Sequence, residues 1–278
     1  MPLRATKFLR KLRGGAQAHL VEAEDGEIYA VKFRHNLQGR RILVNEWIAH
    51  AVFHHLRIAT PAVAMIDLTA DFIAAHPELH IRTADRTVAP EPGWHFGSRY
   101  PGDPQRMAVY DYLPLPALQK VENLHDFRAA LVADRWLGNA DARQCVFFRA
   151  RVRQFAPSVA THGAHVGFVA SMIDHGYSFN GGDWSLIDSP GFGLFSQRDV
   201  YQGVQDLQAF EPWLQQVVYF PASVLEAARR ELPPSWTEGD DDALDALLEK
   251  LMRRRARVPE LIKQCRQARH DPFPHWRG

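Results

Sequence analysis

The stretch RRILVNEWIAH, residues 40–50, sets a glutamate inside an apolar helical pattern, and that glutamate restricts the possible folds more than any other feature. Leu43 and Trp47 are four residues apart, as are Ile48, Val52 and Leu56, so the spacing predicts a helix from about Gly39 to Arg57. Thr60-Pro61 ends it. Glu46 lies among these apolar neighbours. An unpaired buried charge is costly, so the fold must bring a cation to this carboxylate. Lys32, fourteen residues earlier at the end of YAVK, is the obvious candidate.

Lys32 belongs to AHLVEAEDGEIYAVKF, two short apolar runs split at Asp25-Gly26, the signature of a hairpin turn. In the second run Ile28, Ala30 and Lys32 share one face, and Tyr29, Val31 and Phe33 share the other. Lys32 then sits one pleat from a small residue. That suits an adenine over Ala30 with the ammonium on phosphate oxygens; a solvated edge lysine is the alternative. Just upstream, RGGAQAHL places Gly14 and Gly15 between two strand-like runs. Glycines there let backbone N–H groups approach a phosphate, although a plain Gly-Gly hairpin would look the same.

Further along, PAVAMIDL reads as a strand, and residues 70–106 read as an irregular loop or insertion. RMAVYDYLP reads as a strand leaving for a turn at Pro114. A helix is predicted from Asn123 to Leu137, and CVFFRARV and HVGFVASMI form a strand pair. From about Asp199 the pattern is mostly helical. TEGDDDALDALLEKLMRRRARV begins acidic and ends basic, which suits a helix macrodipole, so Arg253, Arg254 and Arg255 are read as helix-end and solvating charges, with a phosphate-binding patch as the alternative. The order gives an α+β chain with a small strand-rich part, residues 1–113, and a larger helical part, residues 114–278, with a cleft between two lobes.

Two carboxylates and an amide fall where that cleft would be. Asp141, in WLGNADARQCVFF, follows the predicted helix and precedes the strand CVFF, with Gln144 three residues on. Asp174 ends the partner strand in VASMIDHGYSF. A hairpin of these strands brings Gln144 and Asp174 to one end. A carboxylate and an amide oxygen are hard ligands for Mg²⁺. Asp141 would face the same space as a base or orienting group for an attacking hydroxyl. A plain surface turn is the alternative for Asp174.

Lys plus Arg is 33 and Asp plus Glu is 32, so charge gives no argument for nucleic acid or an anionic membrane. The two cysteines, Cys145 and Cys265, are far apart, which points to a reduced, cytoplasmic setting. The basic N-terminus has no apolar core of a secretory signal, and no run approaches a membrane span. FHHL and ATHGAH bring histidines together, but not in a zinc-site spacing.

Glycine turn, strand Lys, helix Glu, loop Asp with an amide, strand-end Asp-x-Gly: this order resembles the ATP site of a protein kinase, in which a strand lysine pairs with a helix glutamate. The stretches GGAQAHLV, YAVKF, QGRRILVNE, HFGSR, YDYLP, NADARQCVF, MIDHGYSFNGGDW and DSP carry a closer resemblance, spread over roughly residues 8 to 195. They resemble the HipA-like kinase domains of bacteria, above all the compact branch without the extra N-terminal domain. The resemblance implies a bilobal protein kinase-like fold with ATP and Mg²⁺ in the cleft. Lys32, aided by Gly14, Gly15 and Gln17, would hold phosphates, paired with Glu46. Ala30 and the hinge residues Asp111, Tyr112 and Leu113 would meet the adenine. Asp141 would be the catalytic aspartate, with Gln144 and Asp174 as metal ligands.

The implied reaction moves the γ-phosphoryl group of ATP to a Ser/Thr hydroxyl of a protein. A nucleotide-binding pseudokinase scaffold and a kinase of a small molecule or lipid headgroup are the alternatives. The chain departs from the general kinase pattern at Gln144, which replaces a later Asn, in the reduced GGAQ loop, and at His175, where Phe is usual. Simple packing is expected for His175. Arg143 is expected to contact phosphate or brace its loop, and Asp134-Arg135 to make an intrahelical or interlobe contact. HFGSR, within the irregular insertion, is expected to be structural, with contact to substrate or nucleotide as the alternative, and Trp184 and Asp188 are expected to pack or order the segment after Asp174.

Overall fold

The computed structural model describes residues 1–83, 85–159 and 165–278. Along the chain come β1 (Leu3–Lys11), β2 (His19–Ala23), β3 (Ile28–Lys32), helix α1 (Arg41–His55), β4 (Val63–Leu68) and α2 (Ala70–Ala75). A two-residue pair, β5 (Ile81–Arg82) and β6 (Thr87–Val88), precedes β7 (Gly93–Arg99). Next are α3 (Leu115–Leu118), α4 (Asp126–Leu137), β8 (Gln144–Arg151), α5 (Val152–Phe155) and β9 (Val166–Ile173). The remainder is helical: α6 (Trp213–Val218), α7 (Ala222–Glu231), α8 (Pro234–Thr237), α9 (Asp241–Arg254) and α10 (Val258–Gln264). Of the ATHGAH stretch, only His165 falls within the described residues.

The first strands close into a barrel in the order β1-β2-β3-β7-β4, sealed by a parallel pairing of Leu3 with Ile66 and Arg4 with Asp67. Closure removes the exposed edges that short strands would otherwise present. The alternation of β3 works as the sequence predicts. Tyr29, Val31 and Phe33 pack inside with Val21, Ile66 and Leu68, while Ala30 and Lys32 face the cleft.

The segment read as irregular contains β7, which pairs with both β3 and β4. Its apolar alternation is hidden because the positions on the barrel side are His95 and Gly97. Buried His95 satisfies itself on backbone: its Nδ1 accepts from Arg34 N at 3.0 Å, and its Nε2 lies 3.0 Å from the Glu91 carbonyl. Gly97 answers a close approach, since a Cβ there would lie 2.5 Å from Ile66 Cγ1. The RMAVYDYLP strand also differs from expectation. It makes a single antiparallel bridge, Tyr110 with Phe147, before Pro114 starts α3.

Helix α1 buries Leu43, Val44, Ile48, Val52 and Phe53 in a core shared with α4, β8, β9 and the C-terminal helices. Strands β8 and β9 pair antiparallel in full register, with Gln144 opposite Ile173. Both faces of this hairpin are covered. Phe147 and Met172 join the large core, and Phe148 and Val169 a smaller one. Helix α9 has Asp241 and Asp242 in its first turn and Arg253 and Arg254 in its last. Arg254 is not a solvating charge, however. It is buried, donates to the Arg135 carbonyl at 3.1 Å, and pairs with Asp188. Among the described residues no helix is long and apolar enough to cross a membrane.

Candidate active site

A cavity of about 1090 Å³ opens between the barrel, α1 and the β8–β9 hairpin. Ala30, Lys32, Glu46, Asp141, Gln144 and Asp174 all line it, as do Gly14, Gly15 and Gln17 of the β1–β2 turn. Elements far apart in sequence thus meet at one place.

Lys32 anchors the site. Its Nζ donates to Glu46 Oε1 and, at 2.8 Å, to Asp174 Oδ1. Burial alone would depress the ammonium pKa, but the two carboxylates reverse this and raise it. The carboxylates diverge with depth. Glu46, whose side chain is 2% exposed, is pushed up by burial against the pull of Lys32, with Asp174 adding to the rise. Asp174, 30% exposed, is also pushed up by burial, but Lys32 outweighs that and holds it below the usual carboxylate range. Asp174 is therefore the partly exposed partner at the cleft, and Lys32 favours its charged form.

Asp174 leaves β9 with φ 57°, a left-handed conformation that a non-glycine residue adopts at some cost. The carboxylate beyond that turn lies 2.8 Å from Lys32 Nζ on the cavity wall. Glu46 Oε2 accepts from the next backbone N–H, that of His175, at 3.0 Å. Gly176 does not serve the turn by a positive φ. It is glycine because α1 passes close, with a Cβ there placed 2.6 Å from Ile42 Cγ2.

Asp141 is exposed on the loop between α4 and β8. Its Oδ1 accepts from Ala142 N at 2.7 Å and its Oδ2 from Gln144 Nε2 at 3.2 Å. With its amide nitrogen so engaged, Gln144 keeps its carbonyl oxygen available as a ligand. The loop is braced from beneath. Arg143 and Asp134, both buried, form a two-pronged pair at 2.5 and 2.8 Å, and Arg143 Nη1 donates to the Ile173 carbonyl at 2.7 Å. Arg143 is thus a brace that ties the Asp141 loop to the end of β9. The expected intrahelical or interlobe contact of Asp134-Arg135 is replaced by this pair and by Arg135 Nε donating to the Leu261 carbonyl at 3.1 Å.

The hinge residues divide. Asp111 lines the cavity. Tyr112 and Leu113 do not; Tyr112 is 61% exposed, and the buried Leu113 gives its carbonyl to Gln197 Nε2 at 2.8 Å. Gln17 lies on the wall, but its side chain is occupied by Lys11 Nζ at 2.5 Å and by the Arg82 backbone at 2.7 and 2.9 Å. From HFGSR, Phe96, Ser98 and Arg99 reach the cavity. His175 packs on Phe53 with ring centroids 4.3 Å apart, and burial holds it neutral, well below the ordinary histidine pKa. Trp184 donates to Asn45 Oδ1 at 2.7 Å, and Asp188 pairs with Arg254 and Arg257. Asn45 went unrecognised in the sequence, and Asp134 was noted there without its partner Arg143. The signal for Asn45 was present: a polar amide beside Glu46, in the same apolar helix.

No curated relative matches the sequence. Solved structures do match in fold. A Golgi casein kinase with Mn/ADP bound is 12% identical at a TM-score of 0.50, covering 96% of this chain and 73% of that one. Hydra Fam20 with sugar is 14% identical at a TM-score of 0.51, covering 96% and 87%. These likenesses establish a kinase-like α+β fold. The family model of the HipA-like kinases matches residues 6–260, nearly the whole chain and all of the cleft residues above. The chain belongs to the HipA-like kinase family.

Proposed function

We propose that the cleft binds ATP with Mg²⁺ and passes the γ-phosphoryl group to a Ser or Thr hydroxyl of a protein. One observation carries this reading: Lys32 is held between Glu46 and Asp174 in a cavity that also contains Asp141 and Gln144. Phosphoryl transfer asks a protein chiefly for positioning and charge neutralisation. Lys32 supplies a fixed cation for the phosphates. Asp141 accepts or orients the proton of the attacking hydroxyl. Gly14 and Gly15 cover the phosphates from the barrel side, and Ala30 leaves room for the base.

The residues that would hold Mg²⁺ are Asp174 and Gln144. Among the described residues no group of three or more His, Cys, Asp or Glu could hold a metal by itself. The two hard oxygen donors suit an ion that keeps several waters and takes phosphate oxygens as further ligands. Such an ion would neutralise charge between the phosphates. Asp111, which lines the cavity, is the hinge residue that would meet the nucleotide. Residues 1–113 and 114–278 act as the two lobes in this reading. The protein acceptor rests on the family and, at the level of fold, on a neighbour named for casein. A cytoplasmic setting is supported by Cys145 and Cys265, both free and buried.

Asp174→Ala tests the metal assignment. Mg²⁺-dependent ATP binding, measured by calorimetry, should weaken by about tenfold or more. Unchanged Mg²⁺–ATP affinity in the folded variant would remove Asp174 from the metal site.

A further inference from the structure

We infer that Asn45 is a positioning residue that holds the segment after Asp174 in place and thereby sets the metal-binding side of the cleft. This deepens the reading of Asp174 as a metal ligand and rests on it. Asn45 is fully buried in the middle of α1. Its Nδ2 lies 2.7 Å from the Gly176 carbonyl, 3.0 Å from that of Ser178 and 2.9 Å from that of Gly181. Its Oδ1 accepts from Trp184 Nε1 at 2.7 Å. One amide, with two hydrogens and one oxygen, thus meets four groups spread over residues 176–184.

That segment does not hold its shape by regular secondary structure. Phe179, Asn180 and Gly181 have φ of 61°, 62° and 63°, and Trp184 has φ 52°. Consecutive left-handed residues persist only where surroundings over-determine them. Asn45 bonds the bend at four points, from Gly176 to Trp184. Its neighbour Glu46 bonds Lys32 and the His175 backbone N–H. Asn45 and Glu46, adjacent on one helix, thus hold the chain that follows Asp174, joined by Arg41 Nη1 donating to the Gly182 carbonyl at 2.9 Å and by Asn180 N donating to the Gly138 carbonyl at 3.0 Å, while β8 and Arg143 fix what precedes it. Tyr177, Asn180 and Asp183 of the same segment line the cavity. Loosening the segment should leave Asp174 held on that side chiefly through the Glu46 bond to the His175 N–H, so the cost should appear in metal dependence before it appears in nucleotide contact.

Two variants test this. Trp184→Phe keeps the ring and removes the N–H that orients the Asn45 amide. Asn45→Ser removes the bridge itself. Fluorescent ATP analogue binding is titrated with Mg²⁺, and ADP binding is measured in EDTA. The Mg²⁺ concentration for half-maximal enhancement should rise about tenfold in Asn45→Ser and less in Trp184→Phe. Metal-free ADP affinity should change by less than about twofold, and turnover should lose kcat rather than raise the KM for ATP at saturating Mg²⁺. Hydrogen exchange should quicken at residues 175–184 and not in the barrel. If Asn45→Ser does not fold, Trp184→Phe alone decides. Wild-type Mg²⁺ dependence in the folded variants, or exchange that quickens uniformly through the chain, would overturn the role of Asn45 while leaving Asp174 assigned. If wild-type binding itself ignores Mg²⁺, the metal reading fails, and the role of Asn45 fails with it.

Discussion

Asp174 is pulled in two directions: burial favours its neutral form and Lys32 favours its charge, and Lys32 prevails. The residue was legible because a carboxylate ending a buried apolar run asks for an explanation. Glu46 was legible for the same reason, and Lys32 followed as its partner. Asn45 went unread although it stands beside Glu46 in the same apolar helix, because a neutral amide makes no electrostatic demand that names its partner in advance. His95 was read as part of a structural stretch, but its barrel position was not legible, for a related reason. It is a core residue of the barrel that keeps one tautomer, with Nδ1 accepting the Arg34 N–H. Burial lowers its pKa from 6.5 to about 4, with the Glu91 backbone opposing and Arg34 adding to the drop. The unfolded chain therefore binds the proton more readily than the folded one. Stability from neutral His95 is complete above pH 6.5 and is lost as pH falls toward 4. His19 and His50, also lowered to about 4, act in the same direction. In His95→Leu the fall of stability with acid should be shallower by up to about 1.4 kcal/mol per pH unit, read from denaturant melts across that window. Equal slopes for variant and wild type would contradict the assignment.

Elements carried their information unequally. The β2–β3 hairpin, α1, α4 and the β8–β9 pair were readable because each shows an apolar period of its own. β7 was not, since its barrel-side positions are His95 and Gly97, neither of which marks a core strand. Its place in the sheet is decided by long-range pairing with β3 and β4, which local pattern does not report. The close approach of Gly97 to Ile66 gives a direct check. Gly97→Val should overpack the barrel and destabilise the protein by about 1–3 kcal/mol in equilibrium unfolding. Stability equal to wild type would mean that β7 and β4 do not pack this closely. The same variant should disturb the cleft, because Phe96 and Ser98 flank Gly97 and line the cavity.

At the scale of the whole molecule, the C-terminal helices hold α1 and the segment after Asp174 in register, although their sequence carries no motif. Asp240 accepts from Arg40 at 3.1 Å and from Arg41 at 2.5 and 3.0 Å, at the start of α1. Trp236 Nε1 donates to the Trp94 carbonyl of β7 at 2.9 Å. Arg254 holds Asp188 beyond the cleft. These ties were unreadable because each joins residues far apart in sequence, and an Arg-rich helix end looks the same whether solvated or buried. What the sequence did report was the order of the site's parts, since that order depends on charge and spacing rather than on distant packing. Phosphoryl transfer in the cleft is the central claim. The direct measurement incubates wild type and Asp141→Ala with γ-labelled ATP in cell lysate. Wild type should label an acceptor or itself, and Asp141→Ala should bind nucleotide yet lose labelling by at least about a hundredfold. Labelling by folded Asp141→Ala at the wild-type rate, or none by a wild type that binds Mg²⁺–ATP, would contradict it.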